Sequence, residues 1–186
     1  MGLNININFR GAAMAACILT ASCMPDSMVP SSVRQSETAS AKKPNEAPHN
    51  LNKAEYALVR QVNTLRKARG LVPLTVRLNL SKASRAFAKR LSYRKFFDHV
   101  SPDGDSSTDR AEAVSYDWLR LGETLAAGQP SARAAAGSWR DSPGHAKIIF
   151  DPDHIHVGVG YVRRKSRDKL IPQLEHFWVL MAGATR

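Results

Sequence analysis

Three side chains in this chain have the chemistry to bind a borderline divalent metal or to exchange protons near neutral pH: His99, Glu123 and His145. Each sits in its own compact context: Phe96-Phe97-Asp98-His99, Gly122-Glu123-Thr124-Leu125 and Trp139-Arg140-Asp141-Ser142-Pro143-Gly144-His145. Imidazole and carboxylate are common ligands of zinc, and they are also the usual general acid and base. Taken singly, each histidine reads as well as a hydrogen-bonded structural residue, and Glu123 as a buried carboxylate satisfied by backbone donors.

Other arrangements carry less. His154 and His156 would share one face of an extended segment and could chelate a metal together, but Asp151-Pro152-Asp153 reads as a polar turn leading into a strand. Asp141, Ser142 and His145 are too close in sequence to reproduce a hydrolase triad, and no Gly-x-Ser-x-Gly elbow occurs. Nor does any phosphate-cradling glycine loop, or any nucleotide or flavin motif.

The elements that must position these residues follow from periodicity. Asn52 is placed to cap a helix carrying Leu58, Val62 and Leu65 on one stripe and stopping near Gly70. A second helix carries Leu80, Ala83, Phe87 and Leu91, with Asn79 as its expected cap, and it delivers His99 into the turn Ser101-Pro102-Asp103-Gly104. The Gly, Asp and Ser content of residues 101–107 suggests a mobile loop beside His99, able to gate access to it. Ser131 precedes an alanine-rich helical segment that Pro143-Gly144 breaks before His145. Val157 to Val162 and Phe177 to Met181 read as strands, with a charged hairpin loop between them. Helices early and strands late argue an α+β fold with a small antiparallel sheet. Gly158 and Gly160 suit close packing of a strand rather than approach of a ligand.

Composition frames this domain. The chain has 186 residues, 43% of them hydrophobic and 7% aromatic, which suits one globular domain with appendages. After Arg10, an uncharged run from Gly11 to Ser22 is too short to span a membrane but suits a signal peptide over residues 1–23. It ends Leu19-Thr20-Ala21-Ser22-Cys23, which resembles a bacterial lipoprotein signal with Cys23 as the lipidated residue. Cleavage of the ordinary type is the alternative. The cysteines, Cys17 and Cys23, both lie in this segment, so the mature domain is expected to lack disulfides. Residues 24–50, rich in Ser, Pro, Thr and Ala, read as a disordered tether ahead of a domain over 51–184.

The net charge is +11, and it stays at +10 once Arg10 is removed with the signal. The basic residues are spread through helix-like segments without interleaved aromatics, which argues against nucleic acid. An anionic envelope polymer, a lipid surface or an extracellular protein is the expected partner. The chain is expected to be a monomer held to the membrane by its lipid anchor alone.

Four motifs in order, Phe97-Asp98-His99-Val100-Ser101-Pro102-Asp103-Gly104, Gly122-Glu123-Thr124-Leu125-Ala126-Ala127-Gly128, Trp139 to His145 and Val157-Gly158-Val159-Gly160-Tyr161, resemble those of bacterial CAP-domain proteins. This superfamily contains the cysteine-rich secretory proteins, antigen 5 and plant pathogenesis-related 1 proteins, and its module is also called the SCP domain. The resemblance spans about residues 51 to 184. It implies an α-β-α sandwich with a three-stranded antiparallel sheet between helices, and a cleft lined by two histidines and acidic residues. His99 and His145 match the cleft histidines, and Glu123 the glutamate of a Gly-Glu-Asn motif. In members with the full tetrad such side chains can hold a divalent cation, often zinc. Some members bind lipid or sterol, and proteolysis has been proposed for others.

The chain departs from that pattern. Ser142 stands where a second acidic residue is expected after Trp139, Thr124 replaces the Asn of the glutamate motif, and Ala146 and Ile148 stand where Arg and Asn are common. Two functions are therefore expected to compete. The first is a non-enzymatic, tethered binding module whose cleft residues are His99, Glu123, His145 and Ser142. The second is a metal-dependent hydrolase, a peptidase, in which zinc or another divalent cation held by His99, Glu123 and His145 activates water. The loss of the second acid favours the first.

Overall fold

A computed structural model describes residues 50–94, 96–164 and 174–186. The expected signal peptide, the expected lipidation position Cys23 and nearly all of the expected tether lie outside the described residues.

Helix α1 spans Lys53–Lys67. Its first turn is closed by a capping box in which the Asn52 side chain accepts from the Glu55 amide and Glu55 accepts from the Asn52 amide. Gly70, at φ 71°, ends the helical path, a backbone angle that glycine tolerates best. The chain then adds a short strand β1, Thr75–Val76, and enters α2, Leu78–Tyr93. Asn79 does not cap α2. Arg77 holds the cap position, while Asn79 lies inside the first turn and donates to the carbonyls of Val114 and Ser115.

Helix α3, Ser107–Glu112, begins with a second capping box built from Ser106 and Asp109. Strand β2, Trp118–Ala127, carries Glu123 at mid-strand and precedes α4, Ala132–Asp141, which Ser131 caps. Ser142 ends α4 and starts α5, Pro143–Ile149, with Pro143 in the first turn, where a missing N–H costs nothing. Strands β3, His156–Arg163, and β4, His176–Thr185, then pair as the expected antiparallel hairpin.

The sheet order is β1-β3-β4-β2. The expected three antiparallel strands are present, and β1 makes a fourth, pairing in parallel with the start of β3. A two-residue strand has no alternation to read, so its presence is a product of where the α1–α2 connection lies.

Alternate residues of β4 feed two cores, as side chains on a strand must. Trp178, Leu180 and Ala182 pack with α1 and α4 residues such as Leu58, Val62, Ala135 and Trp139. Phe177, Val179 and Met181 pack with Leu80, Phe87 and Leu91 of α2 and Ala111 of α3. This is the α-β-α sandwich. Gly158 and Gly160 serve a helix rather than a strand: a Cβ built at either would stand 2.3 Å from α2 backbone atoms, of Leu80 and Ser84 respectively. Their absence of side chains lets α2 lie directly on β3.

Arg66 fastens the far end of the domain. It is fully buried and donates to the carbonyls of Val72, Ile149, Asp151 and His154, joining α1 to the exit of α5.

Candidate functional site

Strand β2 is an edge of the sheet, and Glu123 shares its α2-facing side with Leu125. The loop after α2 brings His99 to it. Nδ1 of His99 lies 2.9 Å from Glu123 Oε1, so the carboxylate fixes both the tautomer and the tilt of the ring. The Glu123 side chain is 2% exposed and that of His99 51%, so the ring reaches from a buried anchor to solvent.

The anchor contains a residue that sequence reasoning did not single out. Arg110 of α3 donates to both Glu123 oxygens, at 2.9 and 2.8 Å, and to the His99 carbonyl at 2.9 Å. Its other terminal nitrogen meets the Asp105 carbonyl at 2.9 Å and carboxylate at 3.2 Å. The guanidinium carbon sits 3.5 Å from the centre of the Phe87 ring, a stacked cation–π contact. A buried carboxylate demands a cation, and the capping box Ser106-x-x-Asp109 announces the helix that supplies one. Neither signal alone identifies the arginine.

The turn after His99 is braced rather than loose. Asp105 is held by Arg90 at 2.6 Å, by Ser101 and by Arg110, and these donors, Arg90 first, keep its carboxyl far below the ordinary range. Arg94 pairs with Asp103, and the Ser101 amide donates to the Asp105 carbonyl. The expectation of a gating loop at residues 101–107 gives way to a turn tied to α2 and α3 by charge-assisted bonds.

His145 comes from α5, half-buried. Burial depresses its proton affinity, and positive charge on His99 depresses it further, so the two rings share one electrostatic neighbourhood. His99 is shifted the other way, because its hydrogen bond to Glu123 favours the charged ring over the cost of burial. The site thus pairs an imidazole biased toward the cation with one biased toward neutrality, a combination suited to donating and accepting hydrogen bonds at once.

Ser142 caps neither helix by its side chain, and no hydrogen bond links it to these three residues. His154 and His156 are both buried and engaged separately: His154 Nδ1 lies 3.0 Å from the Ile148 carbonyl, and His156 Nδ1 lies 3.0 Å from the Tyr116 hydroxyl. The two rings are thus held by different partners, and neither belongs to a group of three or more metal-ligating side chains among the described residues. Thr124, on the opposite side of β2 from Glu123, is buried with its hydroxyl unpartnered.

The expected metal set does not fit this arrangement. Among the described residues no group of three or more His, Cys, Asp or Glu is placed to hold a metal ion. Glu123 spends both oxygens on Arg110, and Oε1 also on His99. That leaves Nε2 of His99 and the ring of His145, fewer than the three protein ligands of a catalytic zinc.

A two-sided sandwich with a histidine–glutamate pair anchored on an edge strand defines the class, and comparison with known proteins agrees. The model of the cysteine-rich secretory protein family, CAP, matches residues 59–181. The chain belongs to that family. It is 34% identical over 131 residues to the uncharacterized protein YkwD of Bacillus subtilis, covering 69% of this chain and 51% of that protein. It is 28% identical over 111 residues to the uncharacterized membrane protein YlbC of the same organism, covering 60% of this chain and 32% of that protein. It therefore spans about half and a third of these relatives.

Among solved structures, an outer surface protein from Borrelia burgdorferi aligns with a TM-score of 0.60 at 21% identity, over 75% of this chain and 100% of that one. An extracellular SCP-domain protein from Bacillus anthracis aligns at 0.59 and 21%, over 75% and 45%. These likenesses are of fold.

Proposed function

We propose that this protein is an exported binding module, anchored through Cys23, that docks on an anionic component of the bacterial envelope and does not hydrolyse peptides. The observation that carries this reading is the state of Glu123. The carboxylate that would activate water or complete a metal site is committed on both oxygens to Arg110 and His99.

The surface supports the choice of partner. Lys82 and Lys89 on α2 and Lys147 on α5 are exposed and enter no ion pair among the described residues. Near an anionic surface each basic residue contributes about 1 kcal/mol of attraction. The match to an outer surface protein and to an extracellular SCP-domain protein is consistent with export. No helix among the described residues is long and apolar enough to cross a membrane. Attachment in this reading is through the lipid on Cys23.

The test is co-sedimentation of the purified protein without its lipid, with phosphatidylglycerol vesicles and with phosphatidylcholine vesicles, at low and high salt, beside a peptide-hydrolysis assay with and without Zn²⁺. Binding to the anionic vesicles alone, weakened by salt and unchanged in His99→Ala, is the expected result. Hydrolysis that disappears in His99→Ala would establish the peptidase instead.

A further inference from the structure

A site that reads as a metal centre by its residue types already contains a cation. Arg110 is 7% exposed and the Glu123 side chain 2%, and the guanidinium lies against both carboxylate oxygens. It cannot swing aside without cost to several other contacts. Its terminal nitrogens also hold the backbone of His99 and Asp105, and Phe87 closes one face, while Nε is buried without a partner.

A divalent ion at the same carboxylate would therefore have to displace a guanidinium pinned from four directions, or sit beside it. Zinc needs its oxygen and nitrogen ligands at about 2.0–2.2 Å. Glu123 Oε1 and His99 Nδ1 are instead hydrogen-bonded to one another at 2.9 Å, with Arg110 on the same oxygen. The carboxylate can still act on His99 from behind, sharpening Nε2 as a ligand, but that route supplies two imidazoles and, among the described residues, no third protein donor.

We propose that Arg110 is the resident cation of this cleft: it occupies the electrostatic place of a divalent ion, keeps His99 and Glu123 in register without one, and excludes metal from the site. The inference does not depend on what the protein binds, because it concerns only which cation Glu123 holds. It makes Arg110 a positioning residue that sets the chemical class of the cleft, a preformed metal-free hydrogen-bonding site. Removing the guanidinium charge while keeping the side-chain volume turns the same three residues into a metal site.

The probe is Co²⁺ alone, followed by its ligand-field absorption, with Zn²⁺ competition, on the wild-type protein, R110M and R110M/H145A. Circular dichroism and a melting curve confirm that each is folded. Wild type is expected to show no histidine-dependent signal. R110M is expected to bind about a hundredfold more tightly, the upper end of what outer-shell changes do to metal affinity. Its visible bands should be lost again in R110M/H145A.

Arg110→Gln, which keeps a donor on Glu123 while removing the charge, is the second variant should methionine prevent folding. A folded neutral variant that gains no affinity would overturn the proposal. So would micromolar binding by the wild type that shifts the ring resonances of both His99 and His145, and this result is readable whether or not any variant folds. A failure of this kind leaves the vesicle measurement untouched, and a failure to bind vesicles leaves the metal titrations unaffected.

Discussion

Glu123→Gln changes one atom and isolates the charge on which the cleft is built. In the folded protein Glu123 takes two hydrogen bonds from Arg110 and one from His99. Breaking a buried ion pair by neutralising one partner costs about 3–5 kcal/mol, because the surviving charge stays buried without its counterion. Two features place this case near the lower end: glutamine keeps an acceptor for Arg110, and Asp105 still faces the guanidinium at 3.2 Å. A loss of about 3 kcal/mol corresponds to a melting temperature lower by roughly 12 °C for a domain of this size. The assay is differential scanning calorimetry near neutral pH with chelator present. Arg110→Met should cost a comparable amount, yet Arg110→Met combined with Glu123→Leu should recover much of it, since replacing both partners of a buried pair by apolar groups is often close to neutral. A coupling energy below about 0.5 kcal/mol between the two positions would refute the claim that they form one unit.

Other perturbations test the scaffold and the titration of the site. Gly158→Ala would place a Cβ 2.3 Å from the Leu80 backbone, forcing α2 off β3 at a cost of about 1–3 kcal/mol; an unchanged melting curve would mean that the helix does not sit there. Arg66→Met would strip four carbonyls of their buried donor, so hydrogen exchange through residues 149–155 should accelerate along with a loss of about 3 kcal/mol, and slow exchange there would contradict it. The proton affinity of His99 is raised in the folded state, so its contribution to stability is complete below its ordinary value of 6.5 and fades as pH rises through the higher folded-state value. The depressed affinity of His145 works in the opposite sense, imposing a penalty that sets in as pH falls below 6.5. Stability–pH profiles of His99→Ala and His145→Ala should therefore lose slope on opposite sides of 6.5; identical changes in the two would overturn the assignment.

The parts of this fold set by local chemistry are legible in the sequence. Asn52 with Glu55 announces a capped helix, Leu80, Ala83, Phe87 and Leu91 recur at helical spacing and fill a core, and the runs around Val159 and Val179 are strands. Motif order also points to a meeting of His99 and Glu123, which lie within one hydrogen bond.

What escapes the sequence depends on partners far along the chain. Arg110 looks like any helical arginine until α3 is laid beside β2. The cap expected of Asn79 is spent on the 114–115 turn, because its amide finds those carbonyls within reach. His154 and His156 look like a pair because they alternate, but α5 and Tyr116 claim them separately. Gly158 and Gly160 read as permissive positions, and only the approach of α2 shows what they permit.

The most direct test of the cleft as a single electrostatic unit is a pH titration of its histidine rings by nitrogen-detected NMR on metal-free protein. His99 should keep its proton to a pH above 6.5, His145 should lose its proton below 6.5, and His99→Gln should move the His145 midpoint upward by removing a neighbouring positive charge. Two rings titrating together near 6.5, with His145 indifferent to the loss of His99, would contradict it.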